Sequence, residues 1–356
     1  MPSKSNTDSY IITKTRIYHL DNLRAIAIIM VVGVHTLSYC IPFPSLQFKL
    51  ASFILSTVAV PVFFLVDGYL YAFSIQKYST YRYESYIRKS FIRLVIPWII
   101  FTLIYTLLRY IFESNGFLEN KLIIGHSLGN IIISAYGSVY SAQLYFLLSL
   151  FVVRLITPIL NLSFIKTNYH IALIFFTIFL SGYHFTFPFI QSHLYIEGGQ
   201  EPLTHAIWGI QFYILGIIIF RATLITDIRK LSVVFVILFF TSLFIQISFY
   251  KINMGVIQYL YLLTLFFIIS SIDKKYSALG LIGKQTMGIY LIHVPVVIKI
   301  VSLILNKFIH APILSFTSIL ITTIFLSTII TVTINHIPYA CIIFGTPYKN
   351  NRKNSL

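Results

Sequence analysis

Long apolar stretches make up most of the chain, and short polar stretches separate them. Each apolar stretch runs for about 20 residues, the length that an α-helix needs to cross a bilayer. The stretches are continuously apolar rather than alternating, unlike the strands of a membrane barrel. This pattern predicts ten transmembrane helices, at residues 22–41, 52–74, 92–112, 142–160, 170–187, 204–221, 231–250, 255–272, 285–305 and 314–336.

Segment 123–140 is apolar as well, but Gly, Ser and Asn interrupt it. We interpret it as a re-entrant or surface helix, with an eleventh span as the alternative. The first span follows a polar tail and has no clear small-residue cleavage site, so we expect a retained helix rather than a signal peptide. The chain shows no internal repeat, and we expect no fused extracytoplasmic domain. The predicted parts are a cytoplasmic tail at 1–19, a membrane domain at 20–340 and a basic cytoplasmic tail at 341–356.

Composition supports a membrane protein, since 57% of residues are hydrophobic and only 10% are charged. A soluble domain has about 25% charged residues, so an ordinary soluble enzyme is excluded, and so is a disordered chain. The two cysteines, Cys40 and Cys341, are too few for a disulfide framework. The predicted fold class is all-α, a polytopic integral membrane helix bundle.

The distribution of basic residues orients the bundle. Of the 26 Lys and Arg residues, nineteen fall on one predicted face, six fall on the other, and Arg154 lies within a span. Basic residues gather on the cytoplasmic side, and ten spans place both ends of the chain on one face. Both termini are therefore predicted to be cytoplasmic. The net charge of +16 then reflects topology and attraction to anionic lipids, so no nucleic-acid partner is expected.

Ionisable residues inside the spans are candidates for chemistry, because each costs about 2.5–3.5 kcal/mol to insert. Arg24 and His35 are eleven residues apart in the first span, which is close to three helical turns. They therefore share one helix face, with His35 about 16 Å deeper. Spacing alone leaves two interpretations open: a functional pair, or an Arg24 that snorkels to the surface and a His35 that only packs.

Asp67 in the second span has a similar inferred depth to Arg24, and a buried carboxylate is stabilised by a cation. We therefore predict an Arg24–Asp67 ion pair rather than a catalytic aspartate. Arg88, Lys89 and Arg93 precede the third span. These three cations either mark the cytoplasmic end of the span, where basic residues are usual, or bind a phosphate-bearing ligand.

Two further residues, Arg154 and His293, lie deep in the fourth and ninth predicted spans, whereas His184 and His336 lie near span ends, where an interfacial position explains them. No set of His, Cys, Asp and Glu has the spacing of a metal site, so no metal is predicted. Phosphate-binding glycine loops and the nucleophile elbow of hydrolases are also absent from the sequence.

Five segments, in order along the chain, resemble the signature blocks of the bacterial membrane acyltransferase family 3. The arginine and histidine separated by ten residues form the most specific block. Two positions depart from the family pattern: Asp67 stands where serine is usual, and Tyr145 where tryptophan is usual. The segments are IYHLDNLRAIAIIMVVGVHT (17–36), VPVFFLVDGYL (60–70), YIRKSFIRLVIPW (86–98), QLYFLLSLFVVRLITPIL (143–160) and GKQTMGIYLIHVPVV (283–297).

The resemblance implies an O-acyltransferase of the bacterial cell membrane, without a metal. It would move an acyl group, with acetyl as the expected one, from a cytosolic acyl-CoA to a sugar hydroxyl of a surface polysaccharide or its lipid-linked precursor. The implied partners are the bilayer, the acyl-CoA co-substrate and the glycan acceptor. The implied roles are catalysis for His35 and Arg24, acyl-CoA binding for Arg88, Lys89, Arg93 and Arg154, and support for Asp67, Tyr290 and His293.

A transporter that exports or flips a polysaccharide is the alternative function, because ten spans suit either class. The chain has no similarity between two halves, which inverted-repeat transporters often retain. Transfer of label from acetyl-CoA to glycan distinguishes the two functions, since an exporter transfers none.

The predicted topology places the loop at 188–203 outside the cell. Ser192 in this loop, changed to Cys in a Cys40→Ser/Cys341→Ser background, should react with an impermeant thiol reagent on intact cells. Ser355→Cys in the C-terminal tail is the control and should react only after permeabilisation. The reverse pattern of labelling would contradict the topology.

Overall fold

A computed structural model describes most of the chain, including all but one of the predicted spans. The described residues are 17–41, 45–77, 82–156, 199–223, 228–249, 254–272, 277–337 and 340–345, together with 189, 191–192, 194 and 196. The predicted fifth span, at 170–187, and both predicted tails beyond residues 17 and 345 lie outside the described residues.

The described residues are helical and include no strand. Two π-helical turns, Phe91–Val95 and His293–Val297, join neighbouring helices. The twelve α-helices are α1 Tyr18–Cys40, α2 Leu46–Lys77, α3 Tyr83–Ser90, α4 Ile96–Ser114, α5 Leu128–Tyr136, α6 Tyr145–Leu155, α7 Pro202–Thr223, α8 Ile228–Phe249, α9 Met254–Ser271, α10 Ser277–Ile292, α11 Ile298–Leu305 and α12 Pro312–His336.

Six of the described helical segments are long and apolar enough to cross a membrane. Shorter apolar helices occupy three further predicted spans, the fourth, seventh and eighth. The all-helical membrane fold is therefore confirmed, whereas the number of ten spans and the side of the termini stay predictions. Within 123–140, α5 is only nine residues long. At 1.5 Å per residue it is too short to cross a bilayer, so no eleventh span lies there.

Helix α1 is central to the bundle and packs against α2, α10 and α12. Helix α2 in turn packs along α7, and two glycines permit a close approach of their backbones. A Cβ at Gly68 would collide with the carbonyl oxygen of Tyr213, and a Cβ at Gly216 would collide with that of Leu65. The hydrophobic effect does not drive helices together in lipid, so close van der Waals packing at small residues stabilises such crossings instead.

A proline lies just after the first π-helical turn and another lies within the second, and each turn contains a candidate residue from the sequence analysis. Arg93 lies within the first turn, which leads into Pro97, and His293 begins the second, which contains Pro295. Proline lacks the N–H that an α-helix needs, and π-type distortions are frequent at functional sites. The two turns thus lie at the ends of α3 and α10, where the candidate site is built.

Candidate functional site

Two cavities lie one above the other along α1 and α2. The first, of about 450 Å³, is here called the histidine cavity because His35 and His205 line it. The second, of about 320 Å³, is called the arginine cavity because Arg24, Arg93 and Arg154 line it. Since α1 contributes residues 31–35 to one and 21–24 to the other, the cavities occupy different levels of the bundle.

The arginine cavity carries an excess of positive charge. Its cationic residues are Arg24, Arg93, Arg154 and Lys284, and its acidic residues are Asp21 and Asp67. Lys284 and Arg93 are exposed, so this cavity is continuous with the surface. A cavity with this charge suits a polyanionic ligand. Arg88 and Lys89 lie outside its lining, exposed on the last turn of α3.

The carboxylate of Asp67 is held by Arg154. Arg154 donates from Nε to Oδ2 over 2.8 Å and from Nη2 to Oδ1 over 2.5 Å, which is a bidentate ion pair. Its Nη1 donates to the hydroxyl of Ser90 over 3.1 Å. The two side chains are only 13% and 11% exposed. The pair therefore joins α2, α3 and α6 at one point.

The predicted Arg24–Asp67 ion pair is wrong, because Arg154 takes both oxygens of the Asp67 carboxylate. Arg24 forms its ion pair with Asp21 instead, at 3.7 Å and one turn away on α1. A similar depth was inferred for Arg24 and Asp67, but the sequence did not reveal which arginine faces the carboxylate on α2. Arg154, predicted to bind the donor, is engaged in holding α2 and α6 together.

A backbone contact brings α10 against the start of α1 beside this cavity. A Cβ at Gly283 would collide with the carbonyl oxygen of Asp21, so only glycine permits the approach. The neighbouring Lys284 thereby reaches the same cavity as Arg24. Lys284 lies in one of the five segments that resemble the family, but the sequence analysis did not predict a role for it.

Three aromatic side chains, here called the aromatic layer, line the arginine cavity with their rings in contact. Phe146 lies between Phe63 and Tyr290, with ring centroids 5.6 Å away on each side. The hydroxyl of Tyr290 donates to the backbone oxygen of Gln143, and the Gln143 amide donates to the backbone oxygen of Val294. Because Tyr290 lines the arginine cavity and Gln143 lines the histidine cavity, this contact belongs to their common wall.

His35 and His293 lie side by side at this level, with ring centroids 5.4 Å apart. His293 is completely buried, and its Nδ1 contacts the backbone oxygens of Ile289 and Tyr290 at 3.1 and 2.8 Å. Both partners are acceptors, so Nδ1 carries a proton; a second proton, on the buried and unpartnered Nε2, would be costly, so His293 is neutral. Its Nε2 is buried with no hydrogen-bond partner among the described residues. His35 is only partly buried and lines the histidine cavity.

Arg24 and His35 share a face of α1, but they line different cavities. Eleven residues of helix separate them by about 16 Å, which exceeds the reach of an arginine side chain. A catalytic role for Arg24 in direct contact with His35 is therefore not supported by this geometry. Its position suits contact with a ligand in the arginine cavity.

Sequence reasoning missed three residues of the histidine cavity: His205, Trp208 and Gln143. His205 and Trp208 are three residues apart, so they share one face of α7. That spacing within a predicted span was a usable signal. Gln143 gave no such signal, because its position depends on contacts with residues about 150 positions away.

The Asp67–Arg154 pair generates a stability prediction. Asp67→Leu should lower the free energy of unfolding by about 3–5 kcal/mol, because it leaves the Arg154 charge buried and unpaired. Asp67→Leu/Arg154→Met should recover much of that loss, as measured by thermal unfolding in detergent. The matched control is Asp67→Leu/Arg24→Met, for which no recovery is expected. Equal or greater recovery with Arg24→Met would contradict the pairing.

Comparison with known proteins agrees with the helical membrane fold. A family model described as an acyltransferase domain matches residues 17–332, from the start of α1 into α12. Neither a curated protein nor a solved structure matches the chain. The matched range covers His35, Arg24, the common wall and nearly all of both cavities. The chain therefore belongs to acyltransferase family 3, a family of membrane acyltransferases.

Proposed function

We propose that the protein is an integral-membrane O-acyltransferase of the bacterial cytoplasmic membrane. It transfers an acyl group, acetyl in the simplest case, from a cytosolic acyl-CoA to a sugar hydroxyl of a surface polysaccharide or its lipid-linked precursor. One observation carries this proposal: His35 lines one cavity, and a second, cation-lined cavity is joined to it by the hydrogen bond from Tyr290 to Gln143. Family membership supports the acyltransferase class.

The acyl-CoA donor is assigned to the arginine cavity. Coenzyme A carries several phosphate charges, and Arg24, Arg93 and Lys284 present cationic groups there. Arg88 and Lys89, exposed beside this cavity's Arg93, are assigned to the outer part of the donor. The thin pantetheine arm then extends along α1 toward the aromatic layer. This assignment is consistent with the predicted cytoplasmic location of the Arg24 end of α1.

His35 is assigned the role of general base. It takes the proton of the sugar hydroxyl while the hydroxyl oxygen attacks the thioester carbonyl carbon. A C–O bond forms, the C–S bond breaks, and coenzyme A leaves as the thiol after His35 returns the proton. If His35 accepts the acyl group first, a C–N bond forms as the C–S bond breaks; attack by the sugar oxygen then forms the C–O bond and breaks the C–N bond, and the hydroxyl proton is left to the thiolate. His293, neutral and adjacent, supports the orientation of the His35 ring.

His35→Ala should reduce acyl transfer by about 10²–10⁴-fold, because a lost general base has that cost. The measurement is transfer of label from acetyl-CoA to glycan in isolated membranes, with protein amount and acetyl-CoA binding determined in parallel. His310→Ala is the control, since His310 is exposed and outside both cavities, and should be fully active. Normal transfer by His35→Ala together with loss in His293→Ala would assign the base to α10 instead.

Arg24→Ala should raise the KM for acyl-CoA by about tenfold, which corresponds to a loss of about 1.4 kcal/mol, while kcat falls less. Arg24→Lys should restore only part of the loss, because an ammonium group lacks the planar fork of a guanidinium. Lys299→Ala, an exposed cation outside both cavities, is the control and should leave the KM unchanged. If Arg24→Ala instead lowers kcat with an unchanged KM, the donor assignment is wrong.

A further inference from the structure

Three aromatic rings in contact with one another line the histidine cavity. Tyr145 and His205 have ring centroids 4.2 Å apart, and Trp208 lies 6.5 Å beyond His205. Two of these rings come from the same face of α7 and the third from the first residue of α6. All three line the cavity that also contains His35.

Contacts at the start of α7 hold these rings in place. Ser149 of α6 donates to the backbone oxygen of Pro202 over 2.8 Å, which joins the two helices. The His205 Nδ1 lies 2.9 Å from the backbone oxygen of Glu201, so Nδ1 carries the proton and Nε2 is left as an acceptor. The Glu201 carboxylate accepts from the backbone N–H of Leu203 over 3.0 Å, which caps the helix. The rings are thus fixed before any ligand enters.

The polar groups of this cavity are uncharged. Besides the two histidines, Gln143, Gln191, Gln200 and Thr204 bring amide and hydroxyl groups to its surface. Among the described residues that line the cavity there is no Lys, Arg, Asp or Glu. A ligand carboxylate would therefore lose its hydration there without gaining a cation, which is costly. The arginine cavity, by contrast, is lined by four cationic residues and suits an anionic ligand.

We propose that Tyr145, His205 and Trp208 form the acceptor subsite of the enzyme and that this subsite takes an uncharged pyranose ring. The inference rests on the proposed function and extends it to the class of acceptor. The apolar C–H face of a pyranose packs on aromatic rings, and its hydroxyls exchange hydrogen bonds with amide groups and the His205 Nε2. The volume of about 450 Å³ lies in the usual range of about 300–1,000 Å³ for small-molecule sites. A ring seated there presents a hydroxyl to the cavity that His35 lines.

Trp208 supplies a direct test, because the chain has only two tryptophans, Trp98 and Trp208. In the Trp98→Phe variant, tryptophan emission reports on the acceptor subsite alone. The purified protein in lipid nanodiscs is titrated with methyl glycosides of glucose, galactose, mannose and N-acetylglucosamine. The methyl glycosides of glucuronic and galacturonic acid are titrated in parallel as charged counterparts of the same ring.

At least one neutral glycoside should change the emission of Trp208 saturably, with a Kd about tenfold lower than that of the uronates. His205→Ala in this background should weaken that binding by about tenfold, whereas His310→Ala should leave it unchanged. Trp208→Phe, which retains Trp98, should show no response. The subsite proposal is overturned if no neutral glycoside changes the emission or if the uronates bind more tightly.

Binding and transfer separate this inference from the proposed function. His35→Ala should bind the neutral glycoside normally while failing to transfer label. Saturable glycoside binding without any transfer from acetyl-CoA by the unmodified protein would refute the acyltransferase proposal and leave the sugar subsite standing. Transfer to glycan without any glycoside effect on Trp208 would refute the subsite alone.

Discussion

The ion pair between Asp67 and Arg154 is the contact on which the arrangement of the site depends. In an apolar bundle each of these charges is costly alone, and the bidentate geometry satisfies both. The pair, with the Ser90 hydroxyl, joins α2, α3 and α6. The other cations of the arginine cavity can then face a ligand rather than the buried carboxylate. Positive charge is thereby gathered at one level of the bundle.

The second property of the site is that its two cavities differ in polarity while the hydrogen bond from Tyr290 to Gln143 joins their linings. The lining of the arginine cavity is rich in cations, whereas that of the histidine cavity consists of aromatic rings, amides and other uncharged groups. An acyl-CoA and a sugar differ in the same way. The proposed reaction needs the two to meet only at their reactive ends, and His35 lies where the levels adjoin. A neutral His293 beside it adds no competing charge.

The sequence predicted the helices closely because apolar runs of about 20 residues leave few alternatives in a membrane. The described helices coincide with nine of the ten predicted spans to within a few residues, apart from an early start at α3 and α10 and a shorter α6. The family blocks also identified the helices that build the site. The predicted partner of Asp67 was wrong, however, since sequence position yields depth along a helix but not the rotation of that helix toward its neighbours. Only the assembled bundle therefore showed that Arg154, and not Arg24, faces Asp67.

The sequence by itself determined that this is a helical membrane protein of acyltransferase family 3 and that His35 and Arg24 lie on one face of the first helix. Those conclusions need only composition, helical periodicity and local motifs, which are properties of contiguous residues. Tertiary structure alone decided that the two residues line different cavities, that Lys284 lines the same cavity as Arg24, and that His205 meets Tyr145. These relations join residues far apart in the chain, and they depend on how closely the helix backbones approach. Gly216 and Gly283 allow the helix backbones to come this close because they lack a Cβ. Their importance depends on the opposing helix, so the sequence alone does not reveal it.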